Sequence, residues 1–404
     1  MRSRIVTIYL MAMIVFSTGH ARAGTWTILD KPGASHTFLT GIDVSNLVGY
    51  YYDASGAHGF LHNMTSGTWT TLDASGATHT YIYDIEGSNL VGWYRDTSGK
   101  SHGFVYNGTS WVILDKPGAG EWGTEIYGID GSNLVGSYSD PSYNPHGFLY
   151  NSVNENWTTL DYPGTTTYTR APGISGNNIV LYYGIYGGGY HSGLYNGIDW
   201  TNIDKPGATE TRAYDIDGSN IVGRYENSEG VRQSYLYNLD NKSWTILDTP
   251  DGSIPWGING SNLVGYYEDY EGVYHGFIYT VPPMLKLTIE VEPNNVGINS
   301  ISPAVGDHNC GALVNINAER FVNCPAVYNF DHWEGDVADP NAANTTVYMD
   351  SDKTITAVFV DDRQCGDECH PYPAGDISKD CKVDFFDFAM VASSWLECTR
   401  PEFD

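Results

Sequence analysis

Cysteine is missing from the first 300 residues; all six cysteines lie between Cys310 and Cys398. Whatever folds ahead of them does so without a disulfide. Basic residues are scarce, with 20 Lys and Arg against 48 Asp and Glu in 404 residues and a formal charge of −28. A surface of that sign repels phosphate backbones, which excludes nucleic acid as a partner. Long apolar runs are absent too. A membrane span needs about 20 apolar residues, and the longest candidate, Ile5 to Phe16, is stopped by Ser17, Thr18, Gly19 and His20. No Gly-x-Ser-x-Gly elbow, His-Glu-x-x-His helix or phosphate-binding loop occurs.

What the sequence does contain begins with an export signal over residues 1–23. Arg2 and Arg4 precede the apolar run, and Ala21-Arg22-Ala23 offers a small-x-small cleavage site before Gly24. Removing it leaves 17 basic against 48 acidic residues, a balance of −31. An extracellular or cell-surface location follows, with no membrane span after signal removal. In that oxidising setting disulfides are the default. Cys310 with Cys324 is the natural pair; pairing among Cys365, Cys369, Cys381 and Cys398 stays open.

One stretch is written repeatedly. Ile129-Asp130-Gly131-Ser132-Asn133-Leu134-Val135-Gly136 returns from Ile85, Ile216 and Ile258, and more loosely from Ile42 and Ile174. Each unit opens on a tryptophan (Trp26, Trp69, Trp111, Trp157, Trp200, Trp244) at spacings of 42 to 46 residues. A period in the forties belongs to solenoids or propellers. Each unit carries four short strand signals separated by Gly, Asn, Asp, Ser and Pro, and none has a 3.6-residue apolar period. Four antiparallel strands per unit make one propeller blade. The phase adds a detail: the first Trp strand precedes a complete set of the other three, so it can finish the blade begun at Trp256. The fold class expected is all-β: a six-bladed β-propeller over residues 24–281, closed between its termini. A small β-domain (282–361) and a short calcium-loop and helix tail (362–404) follow.

These strings, with His58-Gly59-Phe60, His102-Gly103-Phe104, His146-Gly147-Phe148 and His275-Gly276-Phe277, resemble bacterial extracellular repeats named for a His-Ala-Phe tripeptide. The tripeptide is degraded at His191-Ser192-Gly193 and lost at Gln233-Ser234-Tyr235. The resemblance implies a propeller-like extracellular module and no reaction. The recurrent His is expected to bond a neighbouring turn. The recurrent Asp (Asp30, Asp73, Asp115, Asp161, Asp204, Asp248) is expected to accept backbone N–H bonds of the turn it precedes.

Recognition should reside where the symmetry breaks. Loops leaving the outer strand are read as holding Phe38, Tyr81, Trp122, Tyr168, Arg170, Arg212 and Trp256. Loops joining the second and third strands, on the same face, are read as holding Tyr143, Tyr186, Tyr190, Glu226, Glu229, Arg232, Asp269, Tyr270 and Tyr274. Rings beside carboxylates and Arg fit a glycan platform, and Trp122, Tyr168, Arg170, Arg212, Trp256 and Tyr270 are the ligand-binding candidates. No catalytic residue is assigned.

After Val281-Pro282-Pro283, Leu285, Leu287, Ile289 and Val291 alternate with polar residues. Phe330-Asp331-His332-Trp333-Glu334-Gly335-Asp336 and Met349-Asp350-Ser351-Asp352-Lys353-Thr354-Ile355-Thr356-Ala357-Val358-Phe359 resemble the divergent internalin B-type repeat. That likeness implies a spacer or adhesion module with Trp333 in its core. In the tail, Asp376, Ser378, Asp380, Asp384 and Asp387 stand at positions 1, 3, 5, 9 and 12 of a loop, and Lys382 at position 7 offers its carbonyl. Calcium, a hard cation taking six to eight oxygens, suits that spacing. A helix should follow with Phe388, Val391, Trp395 and Leu396 on one stripe. The segment resembles half of a dockerin, with Cys381 where Gly is usual; this implies calcium binding and a cohesin-like partner. The reading favoured is a secreted, non-catalytic binding or adhesion protein. Its propeller would recognise a polysaccharide or surface protein, and its tail would attach in a calcium-dependent way. The alternative is a carbohydrate-active enzyme, a glycosidase or lyase, with an acid pair in the propeller.

Overall fold

Two-residue turns with a left-handed first residue set the hairpins of the first half. Gly87, Gly131, Gly176, Gly218 and Gly260 all have φ between 56° and 59°, a conformation glycine adopts without strain. Each joins the first two strands of a four-stranded antiparallel sheet. A computed structural model describes residues 24–164, 168–185, 187–293, 301–302, 306–309, 312–323, 326–362 and 371–398. The expected export signal and five of the six cysteine side chains lie outside the described residues. The chain divides into two compact units, Met1–Pro282 and Pro283–Asp404.

The first unit holds six sheets. Blade 1 is His36–Asp43, Asn46–Asp53, Gly56–Asn63 and Thr68–Leu72; blade 2 is His79–Glu86, Asn89–Arg95, Ser101–Tyr106 and Trp111–Leu114. Blades 3, 4 and 5 begin at Thr124, Tyr168 and Glu210 and repeat the pattern. Blade 6 has only three consecutive strands, Ile254–Asn259, Asn262–Glu268 and Tyr274–Thr280. Its outer strand is Thr25–Ile28, with Trp26 opposite Tyr279 and Ile28 opposite Phe277. The inner strands pack side by side around a ring, the last against the first. The propeller is closed, and its outer Trp strands face solvent.

The Leu-Val pair of the repeat gives one side chain to each face of its blade. Val48 packs with Ile82, Leu90 and Phe104 of blade 2, and Val264 of blade 6 packs with Leu39, Leu47 and Phe60 of blade 1. Each blade interface is therefore the Val of one repeat against the Leu or Ile of the next. The glycine after Val makes room for the Phe of the third strand: a Cβ on Gly92 would stand 2.0 Å from the Tyr81 carbonyl and 2.9 Å from the Phe104 ring. Blade 4 inverts the pair, with Leu181 opposite Gly193, so the degraded tripeptide conserves volume across the two strands.

The repeat His bonds neighbouring turns, as expected from sequence, and does so through their carboxylates. Nδ1 of His58, His102, His146, His191 and His275 lies 2.7–2.8 Å from Asp73, Asp115, Asp161, Asp204 and Asp30. Nε2 of His102 and His275 lies 3.2 Å from Asp96 and Asp269. The recurrent Asp thus ties the outer strand to the third strand rather than bonding its own turn, and His275–Asp30 does so across the chain closure.

In the second unit, a five-stranded sheet is ordered Gly306–Asn309, Met284–Glu292, Lys353–Asp361, Ala326–Glu334, Phe321–Asn323. A three-stranded sheet is ordered Ile301–Ser302, Leu313–Ala318, Asn344–Tyr348. Both contribute to one core of Leu285, Leu287, Ile289, Val314, Ile316, Trp333, Val347 and Phe359. Trp333 is 2% exposed, and its ring N–H donates to the Ala342 carbonyl at 3.1 Å.

The His–Asp clamps give the ring a pH signature. Burial lowers the His275 imidazole, but its hydrogen bonds to Asp30 and Asp269 outweigh that and raise it overall. Asp140 is held down at about 2 by N–H donors of Asn144, and Asp53 and Asp269 are lowered by Ser55 and Val273 donors. The carboxylate contribution is present above pH ~4 and lost below it; the His275 contribution is present below pH ~6.5 and lost as pH rises through its raised value. The first unit should melt at its highest temperature between these limits. A melting temperature that climbs steadily from pH 6 to pH 8 would contradict the clamps.

Candidate functional site

Every inner strand carries a β-bulge at the same place, between Leu39 and Gly41, Ile82 and Asp84, Ile126 and Gly128, and their equivalents. A bulge re-aims the extra residue. Here the extra residues include Tyr83, Tyr127, Tyr214 and Trp256. Tyr83 of blade 2 reaches Trp256 of blade 6 at 5.3 Å, skipping blade 1, and Trp256 stacks on Tyr214 at 4.9 Å. Rings from non-neighbouring blades meet, so the axial channel is plugged by an aromatic cluster. Burial pushes the hydroxyls of Tyr83, Tyr127 and Tyr214 up.

Two positions nearer the start of each inner strand, the six blades carry Phe38, Tyr81, Glu125, Arg170, Arg212 and Ile254. This tier and its second-strand neighbours (Tyr50, Trp93, Ser137, Tyr182, Arg224, Tyr266) concentrate the asymmetry. Arg170 lies over Tyr168 at 5.4 Å and Tyr127 at 5.7 Å, with Glu125 at 3.9 Å. Arg212 lies over Tyr190 at 3.5 Å and donates to Glu210 at 3.0 Å. Between blades 6 and 1 the mouth opens into a cavity of about 470 Å³ lined by His36, Phe38, Tyr52, Ile254, Tyr266 and Tyr274. Phe38 stacks on Tyr50 at 4.6 Å and on Tyr274 at 4.9 Å. Between blades 5 and 6 lies a second cavity of about 390 Å³, sharing Ile254, Tyr266 and Tyr274.

Of the six ligand candidates, Tyr168, Arg170 and Arg212 stand at this mouth, and Trp256 lies in the aromatic plug beneath it. Trp122, 56% exposed, pairs with Tyr143 on a peripheral loop, and Tyr270 stands fully in solvent. The loop assignment also needs correction: Phe38, Tyr81, Tyr168, Arg170, Arg212 and Trp256 sit on inner strands, and Tyr190, Glu226, Arg232 and Tyr274 on second or third strands. Tyr186 lies outside the described residues. Reading from sequence missed Tyr52, Tyr266 and Arg224. The signal available was the residue after Val-Gly, which differs among repeats (Tyr50, Trp93, Ser137, Arg224, Tyr266).

The opposite end of the channel is acidic. Asp43, Asp84, Glu86, Asp130, Asp215 and Asp217 surround a cavity of about 150 Å³. Most of these acids are structural: Asp43 accepts the N–H of Gly87 at 2.7 Å, Glu86 that of Gly131 at 2.9 Å and Asp217 that of Gly260 at 2.6 Å, clasping each blade to the next. Asp84 and Asp215 also clasp the next blade, accepting the N–H of Ile129 at 3.0 Å and of Ile258 at 2.9 Å, but only these two blades carry an acid at this position. Their equivalents in the other blades are Gly41, Gly128, Gly173 and Gly257, so the pair sits on opposite blades of the ring. Burial pushes Asp84 up to about 7, and burial followed by the Asp84 charge pushes Asp215 up.

In the second unit, carboxylate oxygens of Asp376, Asp380 and Asp387 lie within 4.8 Å of one another, the one such triad among the described residues. Asp376 and Asp387 are 8% and 2% exposed. Asp376 accepts the N–H of Asp380 and Cys381, and Asp387 accepts those of Ile377, Ser378 and Asp384. Those donors hold Asp387 at about 2. Cys381 has φ 70°, the left-handed turn that Gly supplies in such loops. Ser378 Oγ lies 3.3 Å from Asp376. Asp384 lies outside the triad: it accepts the Phe386 N–H at 2.8 Å and caps the helix Phe385–Cys398. Lys382 meets the loop through its N–H, donated to Asp380. An all-oxygen donor set with two buried carboxylates and no ion-paired cation among the described residues fits a hard divalent cation. The expected helix stripe is not a buried face: Phe388 is 67% and Val391 45% exposed, beside exposed Phe385 and Phe386. The side chains of Trp395 and Leu396 lie outside the described residues.

A family model described as the divergent InlB B-repeat domain matches residues 287–363. No curated protein matches the chain. Among solved structures, it is similar to the putative TolB from Agrobacterium tumefaciens, at 13% identity over 66% of this chain and 100% of that one, with TM-score 0.46. It is also similar to the SapL1 lectin in complex with alpha methyl fucoside (15%, 61% and 95%, 0.43) and to a six-bladed fungal lectin from Aleuria aurantia (16%, 53% and 75%, 0.34). Fold and site together define a closed six-bladed propeller followed by a β-domain. No helix among the described residues is long and apolar enough to cross a membrane.

The Asp84–Asp215 pair yields a test. An Asp whose folded pKa is raised favours folding less as pH climbs from ~4 to ~7. The melting temperature of Asp84→Gly minus that of the parent should therefore increase between pH 5 and pH 8. A difference independent of pH contradicts the burial of this charge.

Proposed function

We propose that this is a secreted, non-catalytic carbohydrate-binding protein that holds a sugar in the cleft between blades 6 and 1. The observation that carries the reading is the aromatic lining of that cleft, Phe38, Tyr52, Tyr266 and Tyr274 with His36 at the rim. Apolar faces of a pyranose stack on such rings, while the Tyr hydroxyls and His36 offer hydrogen bonds to its hydroxyls. A cavity of about 470 Å³ accommodates one or two sugar residues. A glycan array with the full chain should give hits. Tyr52→Ala, which removes a half-buried ring from this cleft alone, should weaken the best hit about tenfold, or ~1.4 kcal/mol. A silent array, or unchanged affinity in Tyr52→Ala, would count against the cleft.

The tail is proposed to bind calcium and to attach the protein to a cohesin-like or other surface partner. Asp376, Asp380 and Asp387 would hold the ion with Ser378, and the Lys382 carbonyl and Asp384 complete the set inferred from spacing. Calcium there would neutralise the buried carboxylates and stiffen the loop ahead of the helix. The exposed Phe385, Phe386 and Phe388 support a docking role for that helix. Titrating the full chain with Ca²⁺ should give one binding event, lost in the double variant Asp376→Ala, Asp380→Ala. Equal binding by parent and variant would remove the loop from the account.

A further inference from the structure

Of the five arginines in the propeller, three are committed to carboxylates. Arg170 faces Glu125, Arg212 donates to Glu210, and Arg232 Nε donates to Glu226 at 2.8 Å. Arg95 rests over the Trp93 ring at 5.8 Å. Arg224 is the exception. It is half-buried on the second strand of blade 5, and among the described residues its guanidinium has no ion pair within 4 Å, no hydrogen bond and no ring beneath it. Glu210 and Glu226 border a small space beside it, but Arg212 and Arg232 engage them, so half-burying the Arg224 guanidinium costs hydration that no direct partner returns. Such a group is suited to a ligand anion, which it grips with two parallel N–H donors.

What surrounds Arg224 defines the anion. It lines the cavity of about 390 Å³ between blades 5 and 6. Tyr266 and Tyr274 form the shared wall with the neighbouring cleft, their rings edge to face at 6.0 Å. Glu268 in the same cavity is occupied by the Tyr274 hydroxyl at 3.1 Å, and the nearby Glu226 by Arg232. The cavity therefore combines one uncommitted guanidinium with aromatic walls, and it adjoins the proposed sugar cleft through Tyr266, Tyr274 and Ile254. Asp251 at the rim opposes dense polyanions, which favours an isolated carboxylate on a sugar ring.

We infer that the cleft between blades 5 and 6 is a second subsite, selective for a hexuronate residue whose carboxylate pairs with Arg224 while its ring rests on Tyr266 and Tyr274. This rests on the carbohydrate reading above and extends it from neutral to acidic glycans.

The test uses the full chain at about 0.15 M salt, where exposed charges more than ~8 Å apart are screened. Affinities are measured for short oligogalacturonate and oligomannuronate, their carboxyl-reduced neutral counterparts, and sulfated forms of those neutral oligomers. At least one uronate should bind about tenfold tighter than its reduced form. Arg224→Gln should erase that advantage and leave neutral binding unchanged. Arg224→Lys, which keeps the charge but not the two-pronged donor, should recover only part of it. Tyr52→Ala should weaken neutral and acidic oligomers alike. Melting curves of both Arg224 variants verify folding; if Arg224→Gln is unfolded, the Lys variant alone decides by whether the uronate advantage shrinks. Neutral glycans bound with no uronate preference, or a preference that survives in the variants, overturn the inference and leave the carbohydrate reading standing. Sulfated oligomers bound as tightly as uronates and equally lost in Arg224→Gln overturn the carboxylate assignment. No binding of any oligomer overturns both readings.

Discussion

A single four-stranded blade has two apolar faces and cannot bury either alone. The Leu-Val pair makes this explicit, because adjacent residues on a strand point to opposite faces. Leu47 needs blade 6 and Val48 needs blade 2. The requirement propagates from blade to blade and is met only when the last interface returns to the first. Strand pairing of Thr25–Ile28 with Tyr274–Thr280 supplies that return, and the His275–Asp30 contact reinforces it. The rest of the propeller depends on this closure: the inner ring, the plugged channel and the clefts between blades.

Closure also explains which residues are free to vary. Residues that serve the interfaces recur, including the buried threonines Thr37, Thr80, Thr124, Thr169 and Thr211, each 2% exposed or less. Thr37, Thr80, Thr124 and Thr211 accept an N–H from the incoming loop. Residues on the channel side of the inner strands touch no repeated partner, so they diverge. At the mouth they become Phe, Tyr, Glu, Arg and Ile; at the floor, Gly is exchanged for Asp84 and Asp215 on opposite blades. The wall shared by the two clefts, Tyr266 and Tyr274, belongs to the blade assembled from both ends of the repeat region.

Much of this was legible in the sequence. The period, the four strand signals and the early Trp strand were enough for six blades and their closure, because turn chemistry and alternation are local. Alternation likewise put Leu285, Leu287 and Ile289 on one face, and the likeness to the internalin B-type repeat implied Trp333 in the core of the second unit. Local signals do not say where a bulge turns a side chain. Local patterning therefore points to loops for Phe38 and Arg212, although both lie in inner strands. The exposed Trp122 and Tyr270 drew attention by residue type, whereas Arg224 and Tyr266 sit inside otherwise ordinary repeats and are distinguished by what their neighbours leave unpaired. The His is legible as structural, but its carboxylate partners stand just past the outer strands, 13 to 15 residues away, and for His275 at the far end of the repeat region. The tail loop was read from spacing, and its geometry separates a triad of Asp376, Asp380 and Asp387 from Asp384, which a helix start claims as its cap.

The most direct measurement of the closure is amide hydrogen exchange followed by mass spectrometry on the full chain. If Thr25–Ile28 completes blade 6, its amides are protected to the same degree as those of the other outer strands, such as Thr68–Leu72, and Tyr274–Thr280 is protected along both edges. Exchange of Thr25–Ile28 at the rate of an unstructured peptide, with Tyr274–Thr280 open on one side, would contradict a closed ring.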